Sequence, residues 1–385
     1  MAQWRKQTPD ETYGPDEIEA RLKDELPRWT FEDGWIRRKY KTSGWKATLM
    51  VVNTVGHLAE AAWHHPDLTV SYAFVTVKLQ NHAAKGITDK DFALARKIEV
   101  NSIRSIPGDR IFIVQLADAP LIEMDLLYWS RHFRNMPGEG DLAVTAFMQA
   151  VAATGYDGYL SLEIFNDQFR GGSPEAISRD GRRSLVHLMD QVRRVEPDMR
   201  IPVPAMQARS EVSGIAFNEF AVGDDDGREL EALLEVLGFR AVARHRSKAV
   251  TLMRQGEINL VINREEKGFA SASYLVHGAN AYAFGLMVDD ANAAHARALQ
   301  LGSEDFRQPV GQGEMHVPAI RGVGGGIVYF LDRKTSLGDI WDIEFEPIAE
   351  THGGAAPVGL TRIDHLAQTT RYEEMLTWLL FYTSQ

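Results

Sequence analysis

Three histidines, His64, His65 and His82, carry the first chemistry legible in this sequence. The adjacent pair stands in the run Glu60-Ala-Ala-Trp-His64-His65-Pro66, and Tyr72, His82 and Asp91 follow it. Imidazole has an unperturbed pKa of about 6.5, so near neutral pH one such ring can donate a proton while another accepts one. Acid–base catalysis of this kind supplies roughly 10²–10⁴-fold per positioned group. It requires no metal, nucleophile or cofactor. Cysteine is absent from the chain, which excludes disulfides, thiolate catalysis and zinc–cysteine sites. Taken alone, His-His-Pro at a helix end also reads as a polar cap with proline as the stop signal. Asp91 likewise reads as a helix cap, Glu60 as a histidine-orienting or ligand-contacting carboxylate, and Tyr72 as core.

Such residues act only if the fold gathers them. Gly14 to Leu26 predicts a helix with Ile18, Leu22 and Leu26 on one face, ended by Pro27. Two short strands flank the Asp33–Gly34 turn, a hairpin signal. Ser43 predicts the cap of a long apolar helix running to about Trp63, and Leu68 to Leu79 reads as one β-branched and aromatic strand. Thr88 to Asp91 opens a further helix in the manner of a capping box, with Phe92, Leu94, Ala95 and Ile98 inward. His64 and His65 then lie where the long helix ends, and His82 just past the strand. A pocket at this helix–strand corner could gather all three.

The Glu60, His64-His65-Pro66, Tyr72, His82 and Asp91 pattern, with Gly86-Ile-Thr-Asp-Lys-Asp91 and Leu94-Ala95, resembles the active-site pattern of the pterin-4a-carbinolamine dehydratase family. The resemblance covers about residues 10–100, the full length of that small family. It implies loss of water from a 4a-hydroxytetrahydropterin to give the quinonoid dihydropterin. One proton goes to the departing hydroxyl and one leaves the ring N5. His64, His65 and His82 are implied as the acid–base groups, Glu60 and Asp91 as substrate-binding residues, and the pterin as a small-molecule partner. No cofactor is implied for this reaction.

Beyond Val100 the style changes. Ile111–Leu116 and Tyr159–Ile164 read as buried parallel strands in strand–helix–strand grammar. The texts Ser105-Ile-Pro-Gly-Asp109, Val114-Gln115-Leu-Ala-Asp118, Arg131-His-Phe-Arg134, Pro137-Gly-Glu-Gly140 and Leu162-Glu163-Ile-Phe-Asn166 resemble the C-terminal part of a sugar-phosphate-isomerase-type barrel, and more closely its 3-dehydroshikimate dehydratase branch. That resemblance implies Gln115 and Glu163 as two of four divalent-metal ligands and Arg134 as a substrate contact. The earlier barrel strands are missing, so a divalent metal is expected only if the site is completed from elsewhere.

After a linker at Pro197, Pro202 and Pro204, a βαβββ pattern is used about twice from Gly214. Gly214-Ile-Ala-Phe-Asn-Glu219-Phe and Ile363-Asp-His365-Leu-Ala resemble 4-hydroxyphenylpyruvate-dioxygenase-like, vicinal-oxygen-chelate modules. His365 matches the first ligand of a two-His, one-Glu iron triad. The sequence closes before the other two, so iron-dependent oxygenation is not expected. His245, His277, His295, His316 and His352 show no ligand spacing. The tail after Leu360 reads as a strand and a helix unable to cover their own apolar faces.

The expected fold is α+β and multi-domain: a small antiparallel sheet covered by helices, a partial α/β TIM-barrel segment, then βαβββ modules. The expected boundaries are 1–101, 102–196, 205–350 and 351–385. With a net charge of -11, binding to nucleic acid or an anionic membrane surface is not expected. A cytoplasmic protein is expected, from the lack of cysteine, of a signal peptide and of a membrane-length apolar run. The apolar long helix (Leu49, Met50, Val51, Val52, Val55, Leu58) predicts homo-oligomerisation. Three readings stand: a pterin carbinolamine dehydratase, a metal-dependent 3-dehydroshikimate dehydratase completed from elsewhere, and a non-enzymatic dimerisation module.

Overall fold

A computed structural model describes residues 11–99, 103–195, 197, 205–349 and 356–385. The join at 100–102, linker residues Pro202 and Pro204, and His352 lie outside the described residues, as do the boundaries drawn at 101–102, 196 and 350–351. The chain divides into two compact units, one within residues 1–111 with 150–157, the other 112–149 with 158–385.

The first unit opens with helix α1 (Pro15–Glu25), which buries Ile18 and Leu22. Strands β1 (Thr30–Glu32) and β2 (Trp35–Lys41) form a hairpin. Its turn needs left-handed backbone at both central residues, and Asp33 (φ 50°) and Gly34 (φ 81°) supply it. Helix α2 (Trp45–Ala62) follows; its cap position is Gly44 rather than Ser43, with no side-chain cap bond.

The single strand expected over Leu68–Leu79 is two strands, β3 (Asp67–Ser71) and β4 (Phe74–Leu79), paired antiparallel. Residue alternation carries no sign of the break. Tertiary bonds pin it: Thr42 N–H donates to the Ala73 carbonyl (2.8 Å) and Thr48 Oγ1 to the Tyr72 carbonyl (2.9 Å). Tyr72, expected in the core, therefore sits at a turn and is 70% exposed. The sheet order is β1-β2-β4-β3, and helix α3 (Asp89–Glu99) turns Phe92, Leu94, Ala95 and Ile98 into the core with Ile36, Val75, Val77 and Leu79. Each of these side chains larger than alanine contributes about 1.5–3 kcal/mol on burial.

In the next segment come β5 (Val114–Leu116), α4 (Leu126–His132), α5 (Val144–Ala152), β6 (Leu160–Leu162), α6 (Asp167–Arg170) and α7 (Pro174–Val195). β5 and β6 pair in parallel, as barrel grammar requires, but each is only three residues long. The longer strands expected at Ile111–Leu116 and Tyr159–Ile164 are cut short. Phe112, Ile113 and Tyr159 are exposed, since this sheet has two strands and no neighbour extends the ladder over them.

The rest of the second unit is an eight-stranded sheet. It comprises β7 (Val212–Ala221), α8 (Asp224–Val236), β8 (Arg240–His245), β9 (Val250–Gln255), β10 (Ile258–Asn263), α9 (Gly268–His277), β11 (Asn280–Val288), α10 (Ala291–Gln300), β12 (Ala319–Arg321), β13 (Ile327–Leu331), α11 (Ile340–Glu344) and β14 (Phe345–Pro347). The order β12-β13-β11-β7-β10-β9-β8-β14 puts the two first strands, β7 and β11, side by side at the centre. The repeated βαβββ pattern is present, with two departures. Helix α9 is inserted between the halves, and β14 crosses to pair with β8 of the first half.

The tail differs most. Residues 356–371 form no strand, but they are tied down: Gln255 Oε1 accepts from the N–H groups of Val358 (2.9 Å) and Leu360 (3.3 Å). Helix α12 (Met375–Ser384) packs on α7 and buries Leu380 and Phe381. Leu380 and Phe381 are therefore covered by partners far away in sequence, while Met375 and Leu379 stay exposed. Among the described residues no helix is long and apolar enough to cross a membrane.

Candidate active site

The C-terminus of α2 positions the histidine pair. The helix ends on Trp63 in the left-handed region (φ 49°), and the His64 N–H reaches back to the Ala59 carbonyl at 3.1 Å. This reversal closes the helix as a glycine commonly does. Trp63 is a bulky residue in that conformation, a strain of the kind that clusters at functional sites. The turn leaves the Trp63 ring 78% exposed and directs His64 inward.

His64 Nε2 lies 2.7 Å from Asp91 Oδ1, and the Asp91 side chain is fully buried while that of His64 is 11% exposed. Asp91 is fixed from its other oxygen: Oδ2 accepts from the Thr88 N–H (2.7 Å) and the Thr88 hydroxyl (2.9 Å). The carboxylate thus caps α3 and holds a histidine at once, so both roles expected of Asp91 fall on one group. With Oδ2 taken up by Thr88, Asp91 Oδ1 is left to accept from His64 Nε2 as the natural donor, which frees Nδ1 to work as acceptor.

His65 is more open. Its Nε2 lies 3.0 Å from Glu60 Oε2, one helical turn earlier, and its ring meets the Trp63 ring edge-on. Glu60 orients a histidine here. His82 lies on the exposed loop after β4, its ring edge-on to Trp35 at 5.6 Å. The loop is tethered to the dyad: Asn81 Oδ1 accepts from the N–H groups of Ala83 and Ala84, and Asn81 Nδ2 donates to Thr88 Oγ1 (3.4 Å). A chain Asn81–Thr88–Asp91–His64 therefore joins the loop of His82 to the helix end of His64. Trp35, Trp63 and Thr88 were missed as site residues; only Thr88 left a signal, its three-residue spacing to Asp91.

The barrel-type positions are neighbours but are differently engaged. Gln115 is exposed on β5, and Glu163 follows β6, its N–H donating to the Leu116 carbonyl. Arg134 Nη1 donates to Glu163 Oε2 at 2.7 Å. The guanidinium thus sits on the carboxylate that a metal would need. Among the described residues no group of three or more His, Cys, Asp or Glu side chains could hold a metal ion. A hard divalent ion seeks about six oxygens. One amide and one arginine-paired carboxylate do not fit that demand within this chain. Asp118 of the same motif is structural: it accepts from Ala119, Gly138 and Leu142 N–H groups and shapes the Pro137–Gly140 loop. His365 is exposed and paired with Asp364 at 2.9 Å, a donor set that does not fit an iron site.

Family comparison matches residues 11–100 to pterin 4 alpha carbinolamine dehydratase. Over 84 residues the chain is 45% identical to a putative pterin-4-alpha-carbinolamine dehydratase of Aquifex aeolicus, covering 84% of that protein and 22% of this chain. The chain belongs to the pterin-4a-carbinolamine dehydratase family. To this dehydratase domain it joins two further regions. Residues 70–188 match the xylose isomerase-like TIM barrel, and residues 208–346 the N-terminal region of hydroxyphenylpyruvate dioxygenase. The first two matches overlap over residues 70–100. There the antiparallel β3–β4 pair and α3 belong to the dehydratase sheet. The chain is also 39% identical over 332 residues to the 3-dehydroshikimate dehydratase of Pseudomonas putida, 84% of this chain and 51% of that protein. A solved fusion of a xylose isomerase-like TIM barrel with 4-hydroxyphenylpyruvate dioxygenase superposes with a TM-score of 0.65 at 41% identity, over 74% of this chain and 45% of that one. The dehydratase-family chain thus spans about half the length of the barrel-type relatives it matches.

Proposed function

We propose that residues 1–101 are a working pterin-4a-carbinolamine dehydratase domain in which His64, His65 and His82 supply the acid and the base. The observation that carries this reading is the His64–Asp91 pair, 2.7 Å apart and held by Thr88. The buried carboxylate stabilises the imidazolium formed when His64 takes the N5 proton. His65, oriented by Glu60, and His82, against Trp35, supply the proton to the departing 4a-hydroxyl. Trp35 and Trp63 offer flat apolar surfaces beside these rings for a bicyclic substrate. Apolar groups exposed along α2, Leu49 and Met50 with Trp45, support association of this domain with a second copy. The test is stopped-flow dehydration by His64→Ala and His82→Ala. Each is expected to lose roughly 10²-fold or more while keeping its fold; near-wild-type rates in both overturn the reading.

A second reading, a metal-dependent 3-dehydroshikimate dehydratase, draws support from the Pseudomonas relatives and from Gln115, Glu163 and Arg134 lying together at the ends of two parallel strands. It needs further ligands from beyond this chain. Elemental analysis and a dehydroshikimate assay separate it from the first, since the pterin reaction draws on histidines alone.

A further inference from the structure

A cavity of about 290 Å³ opens at the β8–β14 edge of the eight-stranded sheet, and its lining includes none of the dehydratase histidines or barrel-type positions. Small-molecule sites usually span about 300–1,000 Å³, so an occupant of this one is small. Ala243 on β8 and Leu252 on β9 are cross-strand partners and form its floor. Trp341 and Phe345, their ring centres 5.4 Å apart, form one wall. Arg254 stands two residues beyond Leu252 on β9 and so projects from the same face of the sheet. Asp342, next to Trp341 in α11, completes the lining that matters here.

Arg254 is held but not neutralised. Its Nε donates to Asn259 Oδ1 at 2.7 Å, and Asn259 is fixed in turn by donating Nδ2 to the Ala216 carbonyl at 3.0 Å. That leaves Nη1 and Nη2 without a hydrogen bond among the described residues, on a side chain whose direction is set. Its partner across the β8–β9 pair is a second arginine, Arg240, so the strand row offers like charge where a counter-charge would help. Arg254 makes no ion pair among the described residues. Burial pushes its guanidinium down from the usual value, against the pull of Asp342. A half-buried cation without a carboxylate in contact is costly to keep unless something anionic joins it.

The other charges on the cavity decide which anion. Arg246 is committed: Nε donates to the Ile343 carbonyl (2.9 Å), Nη1 to Glu346 Oε1 (3.0 Å) and Nη2 to the Asp342 carbonyl (3.5 Å). It therefore fixes the backbone of Asp342 instead of offering a second cation. The Asp342 carboxylate itself accepts no hydrogen bond among the described residues, and it acts on Arg254 through space without touching it. A plain anion seated on Arg254 would be repelled by Asp342. A plain cation at Asp342 would be repelled by Arg254. A ligand that carries a carboxylate and an ammonium on one carbon satisfies both.

We propose that this cavity binds a small aliphatic α-amino acid, with its carboxylate on Arg254, its ammonium at Asp342 and its side chain against Leu252, Trp341 and Phe345. The site is independent of His64, so its test and the dehydratase assay fail separately. The probes for calorimetric titration of the full chain are L-valine, isovalerate, which lacks the ammonium, and isobutylamine, which lacks the carboxylate. Valine is expected to bind about tenfold or more tightly than either. Arg254→Gln should weaken valine and isovalerate alike. Asp342→Asn, a change at an exposed side chain, should weaken valine by about tenfold and not weaken isovalerate. This second variant keeps the test decisive if loss of the Arg254–Asn259 bond disturbs the fold. No heat with valine at millimolar concentration, equal binding of isovalerate, or unchanged valine affinity in Asp342→Asn would each overturn the proposal.

Discussion

His64 Nε2 and Asp91 Oδ1 lie 2.7 Å apart, although 27 positions separate them in the chain. The contact joins the C-terminus of one helix to the first turn of another. It turns a helix cap into the partner of an imidazole. Asp91→Asn should keep the shape of the cap but can offer His64 an amide N–H in place of an acceptor, favouring the wrong tautomer. Dehydration should fall by roughly 10²–10⁴-fold, with helix content by circular dichroism unchanged. A rate within a factor of about two of wild type, in a folded variant, would remove Asp91 from the mechanism.

Metal content gives a second check. Among the described residues Gln115 and Glu163 stand at the barrel-type positions, and Arg134 holds Glu163. After dialysis, elemental analysis of the chain should find no stoichiometric Mg²⁺, Mn²⁺, Co²⁺ or Fe²⁺. Arg134→Gln should not create a tight site either, because two donors remain too few. One firmly held ion per chain would mean that ligands outside this set complete it.

The second unit should respond to pH through two buried groups near one another in the barrel-like segment. Burial pushes the Glu139 carboxyl up to about 8, with Asp180 and Asp118 adding to the shift against the Met136 N–H bond. Folding therefore binds a proton, and the resulting stability is lost as pH rises from about 4.5 through about 8. Burial pushes His187 down to about 4, aided by Arg297. The sign is opposite: stability is lost as pH falls from about 6.5 through about 4. Urea denaturation midpoints for Glu139→Gln should gain on wild type above about pH 8 and not at acid pH. Parallel pH curves for the two proteins would remove Glu139 as the source.

Arg297 is 1% exposed and bridges three distant segments. Its Nη1 donates to Asp190 (3.0 Å) and the Gln207 carbonyl (2.9 Å), and its Nη2 to the Ser384 carbonyl (2.9 Å). Arg297→Met should cost about 3–5 kcal/mol, because Asp190 stays buried with Arg194 as its remaining ion partner among the described residues. Thermal unfolding should show it as a lower Tm. Arg297→Met with Asp190→Leu should recover part of the loss; no recovery would mean that the Ser384 and Gln207 bonds dominate.

The sequence by itself determined the elements whose signals are local. The Asp33–Gly34 hairpin is dictated by residues that tolerate left-handed backbone. The inward face of α3 follows from the spacing of Phe92, Ala95 and Ile98. The cap of α3 follows from Thr88 and Asp91, and the chemistry of His64, His65 and His82 from imidazole itself. Tertiary structure alone decided the rest. The break at Tyr72–Ala73 depends on bonds from Thr42 and Thr48, which no periodicity in Leu68–Leu79 encodes. The placing of His64 on Asp91 rather than on Glu60 depends on where α2 crosses α3. The burial of α12, expected to be impossible for a lone helix, depends on α7 and on Arg297, 87 positions from Ser384. The placing of Glu219 and Arg321 on one face of the eight-stranded sheet exists only through the pairing of β7, β11, β13 and β12. Local chemistry fixes an element when its determinants lie within a turn or two of the chain. Sites built across elements are set by packing and register, which depend on residues tens of positions apart.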